Sequence, residues 1–293
     1  MNGLITKGIG GFYYVKTIQG LYECKPRGIF RKDGIIPLPG DEVCISVLDE
    51  NTKTGNIDKI NARCSELVRP AVANVDQVAI VVSIKAPAPD YILLDKLLIS
   101  ACKKNIDVVI CINKIDLDLE GEAKKLESIY SKSGYKTLML SSKENTGLDG
   151  LEDILKGKIT VLAGQSGVGK STLLNSIMKA YIMETGNVST KIDRGKHTTR
   201  HAELLELRTG GYIIDTPGFS SFQISDVSCG DLDKYYPEFR QLIGQCRFNG
   251  CSHICEPDCS IKSAVENNEL PKERYDRYVY LYEILKNKKK GMS

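Results

Sequence analysis

The sequence lacks any long apolar run. Its longest apolar stretches, such as VAIVV at Val78 to Val82, have the length of a strand, well short of the roughly 18 residues that a membrane span requires. The opening residues, MNGLITKGIGGFYYVK, also lack the succession of basic, apolar and small residues that marks a secretory signal. We therefore expect a cytoplasmic protein with no membrane partner.

A strong net charge is missing as well. The formal net charge is only +3, which by itself does not indicate a nucleic-acid partner. The charge is uneven, however, because residues 272–290 carry seven Lys or Arg against three acids and end in KNKKK. Such a basic tail can reach a phosphate backbone, although a solvated terminus has the same composition.

Internal repeats and long low-complexity segments are also absent. Ten cysteines would indicate disulfides in a short secreted chain, but this chain has 293 residues and no sign of secretion. Reduced thiols and metal ligands are the expected states instead.

Three regions that differ in composition and in apolar pattern follow one another along the chain. Short apolar or aromatic runs with Gly, Pro and Asp turns, such as GFYYVK and DEVCISVL, predict a small antiparallel barrel at the start. From Val75, apolar runs alternate with helical patterns, the rhythm of a parallel sheet covered by helices. Clustered cysteines and a helical, Tyr-rich stretch come last. We predict a multidomain α/β protein with domains at 1–68, 69–224 and 225–293.

The string GQSGVGKS, Gly164 to Ser171, fits the phosphate-loop pattern G-x-x-x-x-G-K-[ST] between the apolar strand KITVLAG and the helix STLLNSIMKA. Its glycines let backbone N–H groups turn toward phosphates, Lys170 is expected to contact the β and γ phosphates, and Ser171 to ligate Mg²⁺. A purely structural glycine turn would not explain the Lys-Ser pair. The predicted phosphate contacts are Gly164, Gln165, Ser166, Gly167, Val168, Gly169, Lys170, Ser171 and Thr172.

Downstream, the apolar strand in YIIDTPGF ends in Asp215. An acid at that position in a P-loop nucleotidase holds Mg²⁺, usually through water. Gly218 is then placed to offer its N–H to the γ phosphate, so that its loop moves when this phosphate is lost.

The string NKID, Asn113 to Asp116, ends the apolar strand IDVVICI and so falls at the carboxyl edge of the sheet. Asp116 can accept the N1 and exocyclic amine protons of guanine, whereas adenine offers the wrong donors. Asn113 would support the loop and the base, and the stem of Lys114 would lie along the ring. The predicted guanine contacts are Asn113, Lys114, Ile115 and Asp116, with backbone support from Ser141, Ser142 and Lys143.

The base-reading strings come before the phosphate loop, the reverse of the usual order. A sheet needs its strands adjacent in space and not in sequence, so chain termini can move to another loop. The two base-reading motifs (G4 and G5) come before the phosphate loop (G1) and the two switch motifs (G2 and G3). This order, G4-G5-G1-G2-G3, predicts a circularly permuted P-loop GTPase that binds GTP and GDP. The chain leaving Gly218 runs directly into the last region, and we hypothesise that FSSFQISD transmits the nucleotide state there.

The last region contains a candidate metal site. Cys246, Cys251, His253 and Cys259 form C-x4-C-x-H-x5-C, three thiolates and one imidazole that suit a closed structural Zn²⁺ site. With four protein ligands, catalysis by this metal is not expected. Cys255 also lies within ligand spacing, so the residues alone leave the choice among the cysteines open, and free thiols in a loop are the alternative.

These motifs, with PLPGDEV, RPAVANVDQV and DRGKHTTRH, resemble the small ribosomal subunit-dependent GTPase A family (RsgA, also called YjeQ or YloQ) over essentially the whole chain. The resemblance implies an N-terminal OB-like barrel that binds RNA, a central permuted GTPase and a C-terminal helical zinc-binding region. It further implies a late assembly factor of the small (30S) ribosomal subunit, with that subunit and its 16S rRNA as partners and activator, which helps to release RbfA. We expect a monomer.

The resemblance also implies residue roles. His197 would position the attacking water, and Thr199 would sense Mg²⁺ and the γ phosphate, with Thr198 as the alternative; Lys170 completes the catalytic set. Phe219 stands where many regulatory GTPases place a Gln, so unaided hydrolysis is expected to be slow. The implied zinc ligands are Cys246, Cys251, His253 and Cys259, which leaves Cys255 spare.

Two other functions are weighed against this one. In a GTP-sensing RNA-binding module, hydrolysis would be incidental, and Phe219 is compatible with that. A P-loop kinase or ATPase conflicts with Asp116. In the barrel, alternation should send about half of the aromatic residues into the core and leave the rest for bases. These aromatics are Phe12, Tyr13, Tyr14, Tyr22 and Phe30, with Lys25, Arg27, Arg31 and Lys32 nearby.

Overall fold

The computed structural model describes residues 1–185, 202–215, 224 and 226–290. The chain forms two compact units. The first consists of Met1–Ala79, Leu148–Ala163 and the described part of Lys170–Ser221, and the second consists of Ile80–Gly147, Gly164–Gly169 and the described part of Phe222–Ser293. Among the described residues, no helix is both long enough and apolar enough to cross a membrane.

The first unit begins with a closed five-stranded barrel, as predicted. Its strands are β1 (Asn2–Ile9), β2 (Phe12–Thr17), β3 (Gly20–Pro26), β4 (Glu42–Asp49) and β5 (Thr54–Ile60), with helix α1 (Gly28–Lys32) after β3. The pairing order is β1-β2-β3-β5-β4, and β4 returns to β1. The prediction of a purely antiparallel barrel was wrong in one pair: β3 and β5 are parallel. Strand β4 intervenes between them in sequence, so β5 reaches β3 in the same direction.

Strand alternation fills the barrel core, which contains Ile5, Val15, Tyr22, Ile45 and Ile57, each at most 2% exposed. Burial, the largest cause, raises the pKa of the Cys24 thiol to about 11 with help from two nearby carboxylates. Of the five barrel aromatics, Tyr22 and Phe30 are buried in this core, while Phe12, Tyr13 and Tyr14 are partly exposed. The prediction that about half of the aromatics fill the core is therefore confirmed, whereas the binding of bases by the others stays a prediction.

The rest of the first unit adds three strands to the barrel sheet, a separate two-stranded sheet and two helices. Its elements are the hairpin β6 (Glu66–Val68) and β7 (Ala71–Ala73), helix α4 (Leu148–Leu155), strand β11 (Ile159–Ala163), helix α5 (Lys170–Thr185), and strands β12 (Glu203–Glu206) and β13 (Tyr212–Asp215). The strand order continues as β11-β13-β12-β1. Strands β11 and β13 are parallel, whereas β12 is antiparallel to both β13 and β1.

The second unit has the βαβ rhythm that the sequence predicts. Its elements are β8 (Gln77–Ser83), which begins in the first unit, α2 (Tyr91–Lys103), β9 (Asp107–Asn113), α3 (Glu122–Lys132) and β10 (Lys136–Met139). Strands β9 and β10 are parallel, and β9 is next to β8. At the start of α2, the Asp90 carboxylate accepts a hydrogen bond from the Leu93 N–H at 2.8 Å and caps the helix.

The C-terminal region packs against helix α2 within the second unit. It contains 3-10 turns at Cys229–Tyr235 and Pro237–Phe239, followed by α6 (Ser260–Glu266) and α7 (Lys272–Lys290). Their apolar side chains form one core that includes Ile99 of α2 together with Leu232, Tyr236, Phe239 and Tyr278. The proposed domain boundaries at 68/69 and 224/225 stay predictions.

Candidate nucleotide site and metal centre

Asn113 is the last residue of β9 and is buried, with 1% of its surface exposed. Its amide N–H donates to the Val168 carbonyl at 2.9 Å. Its amide oxygen accepts from the Ser142 N–H at 3.3 Å and from the Ser142 hydroxyl at 3.2 Å. Asn113 therefore joins three segments that are distant in sequence: NKID, SSK and the phosphate loop.

Lys114 adopts a left-handed backbone conformation, with φ at 64°. Its ammonium group donates to the Gly167 carbonyl at 2.8 Å and also to the Ala86 carbonyl. The side chain thus spans the loop between β8 and α2 and the phosphate loop. Participation of residues 84–89 was not predictable from the sequence, because they match no motif.

Asp116 lies in a 3-10 turn, Ile115–Leu117, directly after β9. Its carboxylate accepts a hydrogen bond from the Ser141 hydroxyl at 2.7 Å. Ser141 is buried, and its Oγ also accepts from the Glu144 N–H at 3.2 Å. Backbone support from SSK was the prediction; the structure adds a side-chain contact that orients the carboxylate, and it leaves Lys143 exposed.

Residues Gly164–Gly169 form the loop after β11, and two glycines are required by close approach. A Cβ at Gly164 would lie 2.1 Å from the Val81 carbonyl oxygen, and a Cβ at Gly169 would lie 2.4 Å from the Asn113 amide nitrogen. Both residues also have φ above +100°, which side chains rarely tolerate. The loop contains Gln165, Ser166, Gly167 and Val168 between them, and Val168 is buried.

Helix α5 begins at Lys170, so Lys170, Ser171 and Thr172 form its first turn. Backbone N–H groups at a helix start favour anions. Asp215 is the last residue of β13, as predicted for the Mg²⁺ acid. Four residues assigned from the sequence, His197, Thr198, Thr199 and Gly218, lie outside the described residues, and Phe219 does too.

The predicted metal ligands converge. One ligand atom from each of Cys246, Cys251, His253 and Cys259 lies within 4.8 Å of the others. The Cys246 and Cys259 sulfurs are 3.8 Å apart, and the His253 Nδ1 is 3.5 Å from the first and 3.4 Å from the second. Tetrahedral bonds of about 2.3 Å to sulfur and 2.0 Å to nitrogen give edges of this length. The donor set therefore fits Zn²⁺, and Cys255 is exposed outside the cluster.

The chemistry of the cluster also suits a cation. Burial disfavours the protonated form of His253, but the Asp233 carboxylate and the Cys259 and Cys246 sulfurs outweigh it and raise the pKa of His253 to about 9. Burial likewise opposes thiolate formation at Cys246, yet hydrogen bonding from Ser260 and the neighbouring thiols lowers its pKa to about 7. Burial, the largest cause, raises the pKa of the Cys251 thiol to about 12, so a metal ion bound here would displace protons from Cys251 and His253.

Several supports of the cluster were not predicted. Asp233 Oδ2 lies 3.6 Å from His253 Nε2, on the side of the ring away from the sulfurs. The Tyr275 hydroxyl donates to the His253 carbonyl at 2.7 Å, and the Tyr278 hydroxyl donates to the Ser252 carbonyl at 2.9 Å. Carboxylate and backbone partners of this kind orient metal-binding histidines. No local pattern could identify Asp233, because it is far from His253 in sequence.

A buried ionic cluster joins helix α7 to helices α2 and α3. Asp95, which is fully buried, pairs with Arg274 and with Arg277 Nε, the latter at 2.7 Å, and accepts from the Tyr130 hydroxyl at 2.9 Å. Arg274 also pairs with Glu238 at 2.7 Å. The sequence showed only a helical, charged stretch here, so this cluster was missed as well.

The fold and the motif order define a circularly permuted P-loop GTPase with a barrel before it and a cysteine-histidine cluster after it. The family model for the RsgA GTPase matches residues 60–225, and that for the RsgA N-terminal domain matches residues 2–57. The chain belongs to the RsgA GTPase family. It is therefore an enzyme that hydrolyses GTP, with Mg²⁺ accompanying the nucleotide.

Individual relatives agree over nearly the whole length. A protein of Ruminiclostridium cellulolyticum named small ribosomal subunit biogenesis GTPase RsgA is 60% identical, over 97% of this chain and 94% of the relative. One of the same name from Alkaliphilus metalliredigens is 49% identical, over 98% and 99%. Among solved structures, YjeQ from Thermotoga maritima matches with a TM-score of 0.82 at 36% identity, over 97% of this chain and 98% of that one. YloQ, described as a circularly permuted GTPase, matches with a TM-score of 0.79 at 38% identity, over 98% and 95%.

Proposed function

We propose that this GTPase acts in the assembly of the small ribosomal subunit. The observation that carries the proposal is the 60% identity, over nearly the full length of both chains, to a relative named for biogenesis of that subunit. In this role the small subunit is both target and activator, and its 16S rRNA is bound by the protein. Release of RbfA, a monomeric state and a cytoplasmic location belong to the same proposal.

We infer that two segments of the second unit read the guanine base. Asp116 accepts the two guanine protons, and its hydrogen bond to Ser141 supports that orientation. Asn113 and Lys114 hold the neighbouring loops through the carbonyls of Val168 and Gly167. The proposed base contacts are Asn113, Lys114, Ile115, Asp116, Ser141, Ser142 and Lys143.

For the phosphates we propose the backbone N–H groups of the glycine loop and the first turn of α5. Lys170 would neutralise charge on the β and γ phosphates, while the Ser171 hydroxyl and Asp215 would hold Mg²⁺, which supplies further charge neutralisation during transfer. Thr199 and Gly218 would respond to the γ phosphate, and His197 would position the attacking water. These last three assignments depend on the sequence alone, and slow unaided hydrolysis is proposed from Phe219.

We propose one structural zinc ion held by Cys246, Cys251, His253 and Cys259. The converging ligand atoms support it. All four positions would come from protein, so the ion would stabilise the C-terminal region and take no part in hydrolysis.

The barrel is the proposed RNA-binding element. Lys25 Nζ lies 4.8 Å from the centre of the Phe12 ring, so a cation and an aromatic face are already combined on the barrel. Arg27, Arg31 and Lys32 are exposed near α1. Such side chains suit phosphate contacts and base stacking, and the basic end of α7 offers a second contact with rRNA.

Binding to purified subunits tests the proposal. The protein is sedimented with small or large ribosomal subunits in the presence of GDP or a non-hydrolysable GTP analogue. We expect binding to the small subunit that is stronger with the analogue and weak binding to the large subunit. Equal binding to both subunits, or binding that ignores the nucleotide, would contradict the assembly role.

A further inference from the structure

The first barrel strand pairs with β12, a strand that the motifs did not assign. Lys7 of β1 is the cross-strand partner of Glu203, the first residue of β12. Glu203 is in turn the cross-strand partner of Asp215, the last residue of β13. The backbones of Lys7, Glu203 and Asp215 therefore occupy one row across three adjacent strands, with the proposed Mg²⁺ acid at its end.

Two ion pairs accompany this strand pairing. Lys7 Nζ lies 3.1 Å from Glu203 Oε2, and Lys16 Nζ lies 3.0 Å from Glu206 Oε2. Glu203 and Glu206 are the two ends of β12, so the pairs connect both ends of this strand to the barrel. Lys7 and Lys16 both belong to the barrel.

The two ion pairs are expected to affect the alignment of β12 more than the stability of the fold. The four side chains are between 31% and 49% exposed, and exposed ion pairs contribute little to stability. Leu204 and Leu207, which are buried, hold this part of the first unit in place independently. Reversal of the lysine charges should therefore leave the chain folded while it loosens the alignment of β12.

We propose that Lys7 and Lys16 are positioning residues for GTP hydrolysis. They hold β12 against the barrel and, through the pairing of β12 with β13, set the place of Asp215. The inference rests on the proposed role of Asp215. It adds that the barrel influences hydrolysis through the position of β12 and Asp215. A ligand that shifts β1 shifts β12 through the same backbone and ion-pair contacts.

The test is the variant Lys7→Glu/Lys16→Glu in the full-length chain, assayed for intrinsic GTP hydrolysis below its melting temperature. We expect kcat to fall about three- to tenfold and the half-saturating Mg²⁺ concentration to rise, with little change in the KM for GTP. The matched control is Lys53→Glu, which breaks a barrel ion pair of 3.2 Å with Glu50 away from β12. The control should keep the kcat and the Mg²⁺ dependence of the native chain.

A further variant tests the same ion pairs by rebuilding them with the charges exchanged. Adding Glu203→Lys and Glu206→Lys to the reversed variant rebuilds both pairs with opposite polarity, and we expect at least half of the lost kcat to return. Unchanged kcat in the reversed variant, an equal loss in the Lys53 control, or no recovery in the rebuilt variant would overturn the proposal.

The variant Asp215→Asn separates this inference from the proposed site. If Asp215→Asn loses Mg²⁺-dependent hydrolysis while Lys7→Glu/Lys16→Glu is unaffected, the site stands and the positioning role is wrong. If Asp215→Asn hydrolyses GTP like the native chain, the proposed Mg²⁺ site is wrong and the positioning role is overturned with it.

Discussion

Asp116 is oriented by the protein itself through the Ser141 hydroxyl at 2.7 Å. Asn113 is held in the same way by Val168 and Ser142. Since these groups are fixed by buried partners, little ordering remains when guanine binds. Preorganisation of this kind predicts that specificity depends on the carboxylate itself.

Asp116→Asn should lower GTP affinity about 100-fold, because the Asn amide nitrogen would face the guanine amine and the remaining acceptor oxygen would carry no charge. Xanthine, which offers an oxygen where guanine has its amine, should bind better to the variant than to the native chain. Equilibrium binding of fluorescent GTP and xanthosine triphosphate measures both effects.

The control is Asp118→Asn. The Asp118 carboxylate accepts from the Glu122 and Ala123 N–H groups at 3.0 and 2.9 Å, at the start of α3. This variant should lose little stability, because Asn caps a helix start nearly as well as Asp, and it should keep its GTP affinity. Native GTP affinity in Asp116→Asn would mean that another residue reads the base.

Cys259→Ser should lose bound zinc and much of the stability of the C-terminal region, because one of four ligands is removed from a closed site. Cys255→Ser should retain one zinc per chain, since Cys255 is exposed outside the cluster. Metal analysis of both purified variants measures the stoichiometry. Zinc retained by Cys259→Ser and lost by Cys255→Ser would reverse the ligand assignment.

Residues that belong to motifs of fixed local spacing were predictable from the sequence. The residues that contact and orient them were not. The strings NKID and GQSGVGKS and the Cys-His cluster stand out by residue type and spacing, and the structure brings the residues of each together, while their roles stay predictions. Ala86, Asp233 and Glu203 carry no such signal, because each acts through a partner that only the tertiary fold brings near.

Among the elements, helix α7 is joined to helices α2 and α3 by the buried cluster around Asp95. The Arg274 guanidinium is 1% exposed, and it lies 4.5 Å from the centre of the Tyr236 ring besides its two ion pairs. The carboxylates raise the pKa of Arg274 well above its usual value, although burial, the largest effect, opposes this. Arg274 therefore remains charged in the core.

Arg274→Met should destabilise the second unit by about 3–5 kcal/mol, because Glu238 and part of Asp95 lose their buried counter-ion. Urea denaturation followed by tyrosine fluorescence measures the loss. The matched control is Arg247→Met, whose partner Asp258 is on the surface, with the two side chains 67% and 62% exposed. This control should lose less than about 1 kcal/mol; equal losses in the two variants would mean that the buried cluster adds no more than a surface pair.

Long, strongly patterned elements were predictable from the sequence, and short ones were not. Strands β8, β9 and β11 and helices α2, α3 and α7 occur where apolar periodicity indicates them. Strand β12 has four residues, ELLE, too few to show a period, and its pairing with β1 depends on the tertiary fold. The parallel β3–β5 pair was missed for a similar reason: the path of the chain decides strand direction, not the strand residues.

In the whole molecule, permutation places a barrel before the base-reading strings and the cysteine cluster after the switch region. The barrel and the C-terminal region each have a contact within one unit. Strand β1 of the barrel pairs with β12 in the first unit, and helix α7 of the C-terminal region packs with α2 in the second. Under the proposed assignments, a partner bound to the barrel would contact the unit that carries Asp215, and a partner bound to the C-terminal region would contact the unit that carries Asp116. The order of the motifs made the permutation predictable, whereas these two contacts required the structure.

The most direct test of the proposed role in small-subunit assembly is the rate of GTP hydrolysis by the protein alone, with purified small ribosomal subunits, and with large subunits. We predict a low basal rate that small subunits raise strongly and large subunits leave unchanged. Intact GTP binding with no stimulation by either subunit would contradict it and favour a GTP-sensing RNA-binding module in which hydrolysis is incidental.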